Sequence, residues 1–441
     1  MGAKRNAREM MLHILMEVEK GVYADRALNN VLDKVDDPRD KRLVTEVVNG
    51  VLRMRGHIDW ILQCFAKGGI EQRSPLVRNT LRLGTYQILF LDRIPEAIAV
   101  HETVNLAGRF GHQGIANYVN AVLRRVVDRK FQYPNFESDP VSHIAVMFSH
   151  PNWLVKRWIE KFGVKETRDL CRANNRIPDL VLRVNALKVS AGQALSLLTN
   201  ENIEAQPSPS LSGYIRVQQA GSLLRHDAFQ GGWFTVQDES AGFASLLLDP
   251  NPGERVLDLC CAPGGKTTHV AQLMRNRGTL LAVDINEEKL GLVDENCRRL
   301  GIEIVNAIQD DGTSFESDAF DRIIVDAPCS GTGVLARRVD SRWRKTERQI
   351  LELRDVQKRL LENAVNLLKT GGVLVYSTCS LEEEENEGVV EDLLNSDSGL
   401  HVEDAGSFVP KEFVTAKGCV RTWPHRHNMD GSFAVRLRKK S

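Results

Sequence analysis

The sequence predicts an all-helical front, a small α+β unit, and a C-terminal α/β domain built on a mostly parallel sheet. Three observations lead there. Before residue 140 apolar residues recur only at helical spacing; between 180 and 217 short strand and helix patterns mix; from about 236 onward strands and helices alternate. A chain of 441 residues accommodates several domains, with expected limits 1–140, 141–235 and 236–441.

In the front, paired apolar residues run from Met10 to Val18 and from Leu43 to Leu52. Further helical runs cover Leu76–Leu91, Ala97–Ala107 and Ile115–Val127, punctuated by Pro75, Pro95, Gly111 and Gly114. Pro134, Pro140 and Pro151 mark a connection, followed by Trp153-Leu-Val-Lys-Arg-Trp158, whose tryptophans suit either an RNA face or a helix core. The middle unit reads as strand Leu180–Val184, helix Ala191–Asn200, and strands Ile203–Gln206 and Tyr214–Val217. In the last domain, strands are expected at Arg255–Cys260, Thr279–Ile285, Ile304–Gln309, Phe320–Asp326 and Val373–Thr378. Helices are expected at Lys266–Met274, Glu287–Leu300 and Glu347–Leu368. Ligands of such sheets bind at the carboxyl ends of the strands, where strand order reverses.

Composition narrows the function. No apolar stretch approaches a membrane span, and the first apolar cluster is broken by His13 and Glu17, unlike a signal peptide. Asn6 stands where a myristoylation signal needs Ser or Thr. A cytoplasmic protein is expected. Eight cysteines form no disulfide framework and no zinc-type pair, so no metal is expected; Cys64, Cys171, Cys297 and Cys419 read as buried or inert. Net charge is zero, yet residues 1–190 carry 30 Lys and Arg against 21 Asp and Glu, and the remainder 28 against 37. A basic front suggests a polyanionic partner.

Val256-Leu-Asp-Leu-Cys-Cys-Ala-Pro-Gly-Gly-Lys-Thr267 reads as strand, glycine turn and helix start. Gly264 and Gly265 let backbone approach a ligand, and the helix offers free N–H groups. Asp284, at the end of the next strand, suits the two hydroxyls of a ribose. The segment ends like a phosphate-binding loop, but Cys260 occupies the place of its first glycine, and G-x-G-x-x-G is absent. A nucleoside without phosphates satisfies both facts, and S-adenosylmethionine is such a ligand. Of Asp310 and Asp311, the latter directly precedes Gly312 and is favoured to accept the adenine amine.

Two cysteines end neighbouring strands: Cys329 in Asp326-Ala-Pro-Cys-Ser330 and Cys379 in Ser377-Thr-Cys-Ser380. Isolated cysteines are usually structural, but two at central strand ends point to a shared cleft. Carbon 5 of cytosine is a poor nucleophile until a thiolate adds at carbon 6. An acid near ring nitrogen 3 aids that addition, and Asp326 suits the task. Ser380-Leu-Glu-Glu383 reads as a capping box that puts Cys379 at a helix N-terminus, favouring thiolate; Glu382–Glu385 oppose it unless turned to solvent. Lys266 is a candidate nearby cation.

These motifs resemble the Fmu/Sun (RsmB) branch of the RNA cytosine-5 methyltransferases over nearly the whole chain. The carriers are Leu257–Lys266, Val283-Asp-Ile285, the two cysteine motifs, Gln237-Asp-Glu-Ser-Ala-Gly242 and Asp430-Gly-Ser-Phe433. The resemblance implies a Rossmann-like class I methyltransferase domain dependent on S-adenosylmethionine, an RRM-like α+β unit, and a NusB-like RNA-binding front marked by Asn117–Arg124. It implies Cys379 as nucleophile, Cys329 assisting release, and Asp326 and Lys266 on the base. Cys260, Cys261, Ala262, Pro263, Gly264, Gly265, Lys266, Asp284, Asp311 and Asp326 would hold the cofactor. The substrate implied is 16S ribosomal RNA, naked or in an early small-subunit particle, bound by a monomer. Cys261 and Ser432 depart from the family's usual alanine and aromatic residue.

On chemistry alone Cys329 is also a candidate nucleophile, since DNA cytosine-5 methyltransferases use a Pro-Cys cysteine; their Glu-Asn-Val motif is absent here. Arg337-Arg-Val-Asp-Ser-Arg-Trp-Arg-Lys345 suits a basic loop over the cleft or a solvated loop. Competing functions are a methyltransferase for tRNA or another ribosomal site, a non-catalytic ribosomal RNA assembly factor, and a nucleotide hydrolase. The intact cysteines and Asp284 argue against the second, the missing loop glycine against the third.

Overall fold

The computed structural model describes residues 6–218, 223, 226–396 and 399–440. Two compact units emerge: Met1–Asn175 with Arg337–Arg344, and Arg176–Ala336 with Lys345–Ser441.

The front unit carries helices α1 (Ala7–Glu19), α2 (Ala24–Leu32), α3 (Pro38–Arg53), α4 (Arg55–Phe65), α5 (Pro75–Phe90), α6 (Glu96–Phe110), α7 (Gln113–Val127), α8 (Pro140–Met147), α9 (Asn152–Phe162) and α10 (Val164–Ala173). Their starts are chemically marked. Asn6, Asp37, Ser74 and Asp139 each accept a backbone N–H of the first turn, and the last three precede a proline at the first helical position. Helix α5 is buried on nearly every side. A side chain at Gly84 would meet Leu123 at 2.7 Å, so glycine there lets α5 approach α7. Helices α8–α10 group with this bundle, whereas the sequence suggested a boundary at 140. Trp158 is fully buried beside His150, which makes it a core residue.

The segment 337–344 corrects an expectation. Where a basic loop over the cleft or a solvated loop was expected, the segment packs into the helical unit. Arg342 is 1% exposed and donates to the carbonyls of Ser149 and Asn174 and the side chain of Asn175. Trp343 donates to Leu52 O and lies against Gly56, while Arg344 reaches Gly21 O and Val22 O. Basic residues buried this way serve packing. Arg342→Ala is expected to destabilise the protein by about 2–4 kcal/mol, since it orphans buried acceptors and leaves a cavity. Urea unfolding measures this, and an unchanged midpoint would refute it.

In the second unit, β1 (Leu180–Val184), α11 (Ala191–Asn200), β2 (Ala205–Pro207), β3 (Tyr214–Val217), α12 (Asp227–Gln230) and β4 (Phe234–Val236) form an antiparallel sheet of order β2-β3-β1-β4. Ser190 and Gln193 make a reciprocal capping box at α11.

Then follow α13 (Glu239–Leu248), β5 (Arg255–Leu259), α14 (Gly265–Leu273), β6 (Thr279–Asp284), α15 (Glu287–Leu300), β7 (Val305–Gln309), β8 (Phe320–Asp326), α16 (Glu347–Leu367), β9 (Leu368–Thr378), α17 (Glu387–Asn395), β10 (Leu400–Glu403), β11 (Val420–Thr422), α18 (Pro424–His427) and β12 (Ser432–Lys439). The large sheet runs β10-β12-β9-β8-β5-β6-β7, with β11 paired to β12. Strands β5 to β9 are parallel; β10, β11 and β12 pair antiparallel. Order reverses between β5 and β8, so the carboxyl ends of β5, β6, β8 and β9 frame the ligand-binding crevice of this architecture. The sequence reading missed the antiparallel edge because Arg436 and Arg438 interrupt the apolar run of β12; both pair with Glu403. No helix among the described residues is long and apolar enough to cross a membrane.

Candidate active site

Strands β8 and β9 lie side by side in parallel register, with Asp326 opposite Ser377. Their chain ends therefore emerge together. Cys329 and Cys379, neither in a disulfide and both part-buried, bring their Sγ atoms to 3.3 Å. Three loops lock this arrangement. Gly333 N donates to Cys379 O, and Gly431 N donates to Gly333 O, each at 2.9 Å. A Cβ on Gly333 would lie 2.1 Å from Gly431 O, so the close approach requires glycine. Asp430 is held in turn by Thr422, whose hydroxyl donates to its carbonyl, and Thr422 also contacts the Ser432 hydroxyl at 2.9 Å. That bond gives the buried Ser432 a polar partner.

At the end of the neighbouring strand, Lys266 Nζ donates to Asp326 Oδ2 at 2.7 Å, and Ser377 Oγ donates to Asp326 Oδ1 at 3.0 Å. Burial works against the charge on Lys266, but the attraction of Asp326 and then Cys379 outweighs it and raises the ammonium's pKa. The Cys329 thiol is pushed well up by its hydrogen bond to Cys379, by burial, and by the charges at Cys379 and Glu385.

The glycine turn sits at the end of β5. Cys260 takes φ 64°, the left-handed conformation a phosphate-loop glycine would adopt. Cys261 is buried, donates to Val283 O and accepts from Gly264 N. Gly264 has φ 96° and caps α14. A Cβ on Gly265 would meet only the Gln237 side chain, at 3.6 Å, which leaves a small open cradle. Asn296 donates to Pro263 O, and Ala262 N donates to Asp284 Oδ2 at 3.0 Å. Asn286 N donates to Asp284 Oδ1 at 2.9 Å, so each oxygen keeps a lone pair for a ribose hydroxyl.

Residues 245–438 match a family model described as 16S rRNA methyltransferase RsmB/F. Residues 5–128 match the NusB family, and 150–223 the ferredoxin-like domain of RsmF/B-like methyltransferases. The probable ribosomal RNA small subunit methyltransferase B of Bacillus subtilis is 34% identical over 99% of this chain and 99% of its own. Its namesake from Synechocystis is 33% identical over 98% and 99%. The chain belongs to the ribosomal RNA small subunit methyltransferase B family. The solved structure of PH0851 aligns over 100% of both chains at TM-score 0.86 and 27% identity. A methyltransferase homologue from Pyrococcus horikoshii aligns at TM-score 0.60 and 29% identity, covering 68% of this chain and 99% of that one.

As a family member the protein is an S-adenosylmethionine-dependent RNA methyltransferase, and its residues fit that donor. Besides the open cradle at Gly265, Asp258 Oδ1 is fully buried and receives no hydrogen bond. Thr267 Oγ1 donates to the other oxygen at 2.6 Å. Burial, with the neighbouring Asp326 and Asp284, raises the Asp258 carboxyl to about 7 despite the Thr267 bond. An orphaned acceptor beside the turn suits the amino group of a methionyl moiety. Ile285, next to Asp284, is 68% exposed and offers an apolar plate for a nucleobase. Asp311 is exposed and accepts from Thr313 N and Oγ1 through Oδ1.

The sequence reading passed over Asp258, although an aspartate inside an apolar strand was a usable signal. It also missed Arg183. This buried arginine of β1 donates to Gly265 O, Thr268 Oγ1, Gln272 Oε1 and Gln237 Oε1, tying the small sheet to the glycine turn. The capping box at Ser380 is corrected. A 3-10 turn starts only at Glu383 with no side-chain cap, and α17 begins at Glu387. Ser380 Oγ bonds Glu382 N and Glu385 instead. Nor do Glu382 and Glu385 face solvent; both are fully buried. Cys379 thus ends a strand and does not sit at a helix N-terminus.

Proposed function

We propose that this enzyme methylates carbon 5 of a cytosine in 16S ribosomal RNA, through a covalent adduct of Cys379 with carbon 6 of the base. The 3.3 Å approach of the two cysteine thiols, in the site that also holds the Lys266–Asp326 pair, carries the reading. Negative charge at Cys379 helps stabilise the Lys266 ammonium, while Glu385 adds negative charge beside Cys329. The resemblance to the family assigns the attack to Cys379. The Lys266–Asp326 pair meets the polar edge of the cytosine and offsets the charge that builds on nitrogen 3 as the thiolate adds. Carbon 5 of the adduct then accepts the electrophilic methyl group that the donor supplies. A base takes the carbon-5 proton, the electron pair of that C–H bond re-forms the 5,6 double bond, and Cys379 leaves carbon 6 as thiolate; Cys329, in contact with it, assists that release. Asp284 and Asp311 hold the adenosyl moiety, and residues 260–266 its glycine-turn side.

The relatives' names specify small-subunit ribosomal RNA, and the NusB match covers the basic front. A cytoplasmic site of action belongs to the same proposal. The test is transfer of labelled methyl from S-adenosylmethionine to 16S RNA and tRNA, with bisulfite sequencing of the product. The expected result is label in 16S RNA and a new bisulfite-resistant cytosine. Label confined to tRNA would overturn the substrate, and methylation that leaves every cytosine bisulfite-sensitive would overturn the carbon-5 chemistry.

A further inference from the structure

We infer that Glu385 is a positioning residue of the methyl transfer: its buried carboxylate fixes the two cysteines against each other by holding the residue that follows each. The inference rests on the two-cysteine reading above and adds the device that sets their spacing. Glu385 has no solvent exposure. Oε1 accepts from Ser330 N at 2.7 Å and from Gln357 Nε2 at 3.2 Å. Oε2 accepts from the hydroxyls of Ser330 and Ser380. Those hydroxyls also lie 3.1 Å apart. One carboxylate thus spans two loops whose serines stand 50 residues apart in the chain.

Neighbouring bonds stiffen the same frame. Gln357 Nε2 also donates to Pro328 O at 2.8 Å, so the residues on both sides of Cys329 are gripped. Asn386 donates to Ser380 O at 2.9 Å and accepts from Thr378 Oγ1 at 2.5 Å, gripping both sides of Cys379. The backbone carbonyl of Glu385 accepts from Tyr376 OH at 2.6 Å, anchoring the turn to β9. All four donors to the Glu385 carboxylate, one backbone N–H and three side-chain groups, are neutral. A buried carboxylate without a cation among its hydrogen-bond partners is costly, and burial does raise its pKa against those bonds. A group retained only for packing would not need that charge. Here the charge acts on Cys329, resisting loss of its proton, while the bonds set where both sulfurs stand.

The test uses the full-length protein with Glu385→Gln, which keeps the shape but exchanges one acceptor oxygen for a donor amide. Single-turnover methylation is expected to slow about 100-fold, as for small misplacements of reacting groups. RNA KM and donor affinity should stay within about threefold. A second readout needs neither RNA nor donor. Diamide oxidises the Cys329–Cys379 pair to a disulfide, taking up the two electrons and two protons released. This trapping should slow about tenfold when one charge-assisted bond is lost. The pH profile of Cys329 alkylation should also move to lower pH. Unchanged turnover and trapping in a folded Glu385→Gln protein would overturn the inference, as would a turnover loss matched by an equal loss of donor affinity. If that variant does not fold, Ser380→Ala removes one donor and should slow turnover and trapping in the same direction, about fivefold; no change there overturns it too. A wild-type enzyme that methylates no RNA would sink the functional reading while the trapping arm still reports on Glu385.

Discussion

Cys379→Ala is expected to lower methyl transfer to RNA by at least about 10,000-fold, the scale seen when an enzyme loses its nucleophile. Without a sulfur to add at carbon 6, carbon 5 keeps its aromatic, weakly nucleophilic character, and no rearrangement of neighbours restores it. The fold should survive. Cys379 is part-buried at the end of β9, and its backbone is fixed by Gly333, Thr378 and Asn386, none of which bonds through the thiol. Donor affinity should be nearly unchanged, because Asp284, Asp258 and the glycine turn lie on β5 and β6. Two measurements on one preparation decide the matter: incorporation of labelled methyl, and binding of unlabelled donor by calorimetry. Retained methylation would reject Cys379 as nucleophile. Parallel loss of donor binding would mean that the mutation damaged the site as a whole.

How much of this was legible beforehand depends on how far apart the interacting residues lie in the chain. Strands β5 to β9 and their helices follow from local periodicity, and motifs at strand ends converge because parallel strands deliver their carboxyl ends to one side. That is why Asp284, Asp326, Cys329 and Cys379 could be placed together from spacing. The failures share one cause, which is that polar residues change meaning when their partners are distant. Ser380 and Glu383 have the spacing of a capping box, yet Ser380 bonds Glu385, and Glu385 bonds Ser330 from another strand end. The acidic run, whose orientation the local sequence leaves open, supplies two buried carboxylates. Arg342 and Trp343 carry a nucleic-acid signature, but their acceptors at Ser149, Asn174 and Leu52 lie far back in the chain and make them core. Arg183 is the same case in the small sheet. Apolar patterning predicts burial of apolar residues well; burial of a charge is set by acceptors that no local window contains.

Cys329→Ala should give the opposite phenotype to Cys379→Ala, and the contrast assigns the two roles. The attacking sulfur remains, the Lys266–Asp326 pair is untouched, and the methylated adduct should form. What is lost is the thiol in contact with Cys379 that assists its departure. Release is expected to slow by about 100- to 10,000-fold, the usual weight of a proton-transferring group. A covalent protein–RNA complex should then accumulate, visible as a retarded, nuclease-sensitive band under denaturing conditions, and Cys379→Ala in the same background should abolish it. Were the band to appear with Cys379→Ala and vanish with Cys329→Ala, the attacking sulfur would be the one after β8, and the pairing of Lys266 with Cys379 would have to be reread as a feature of release.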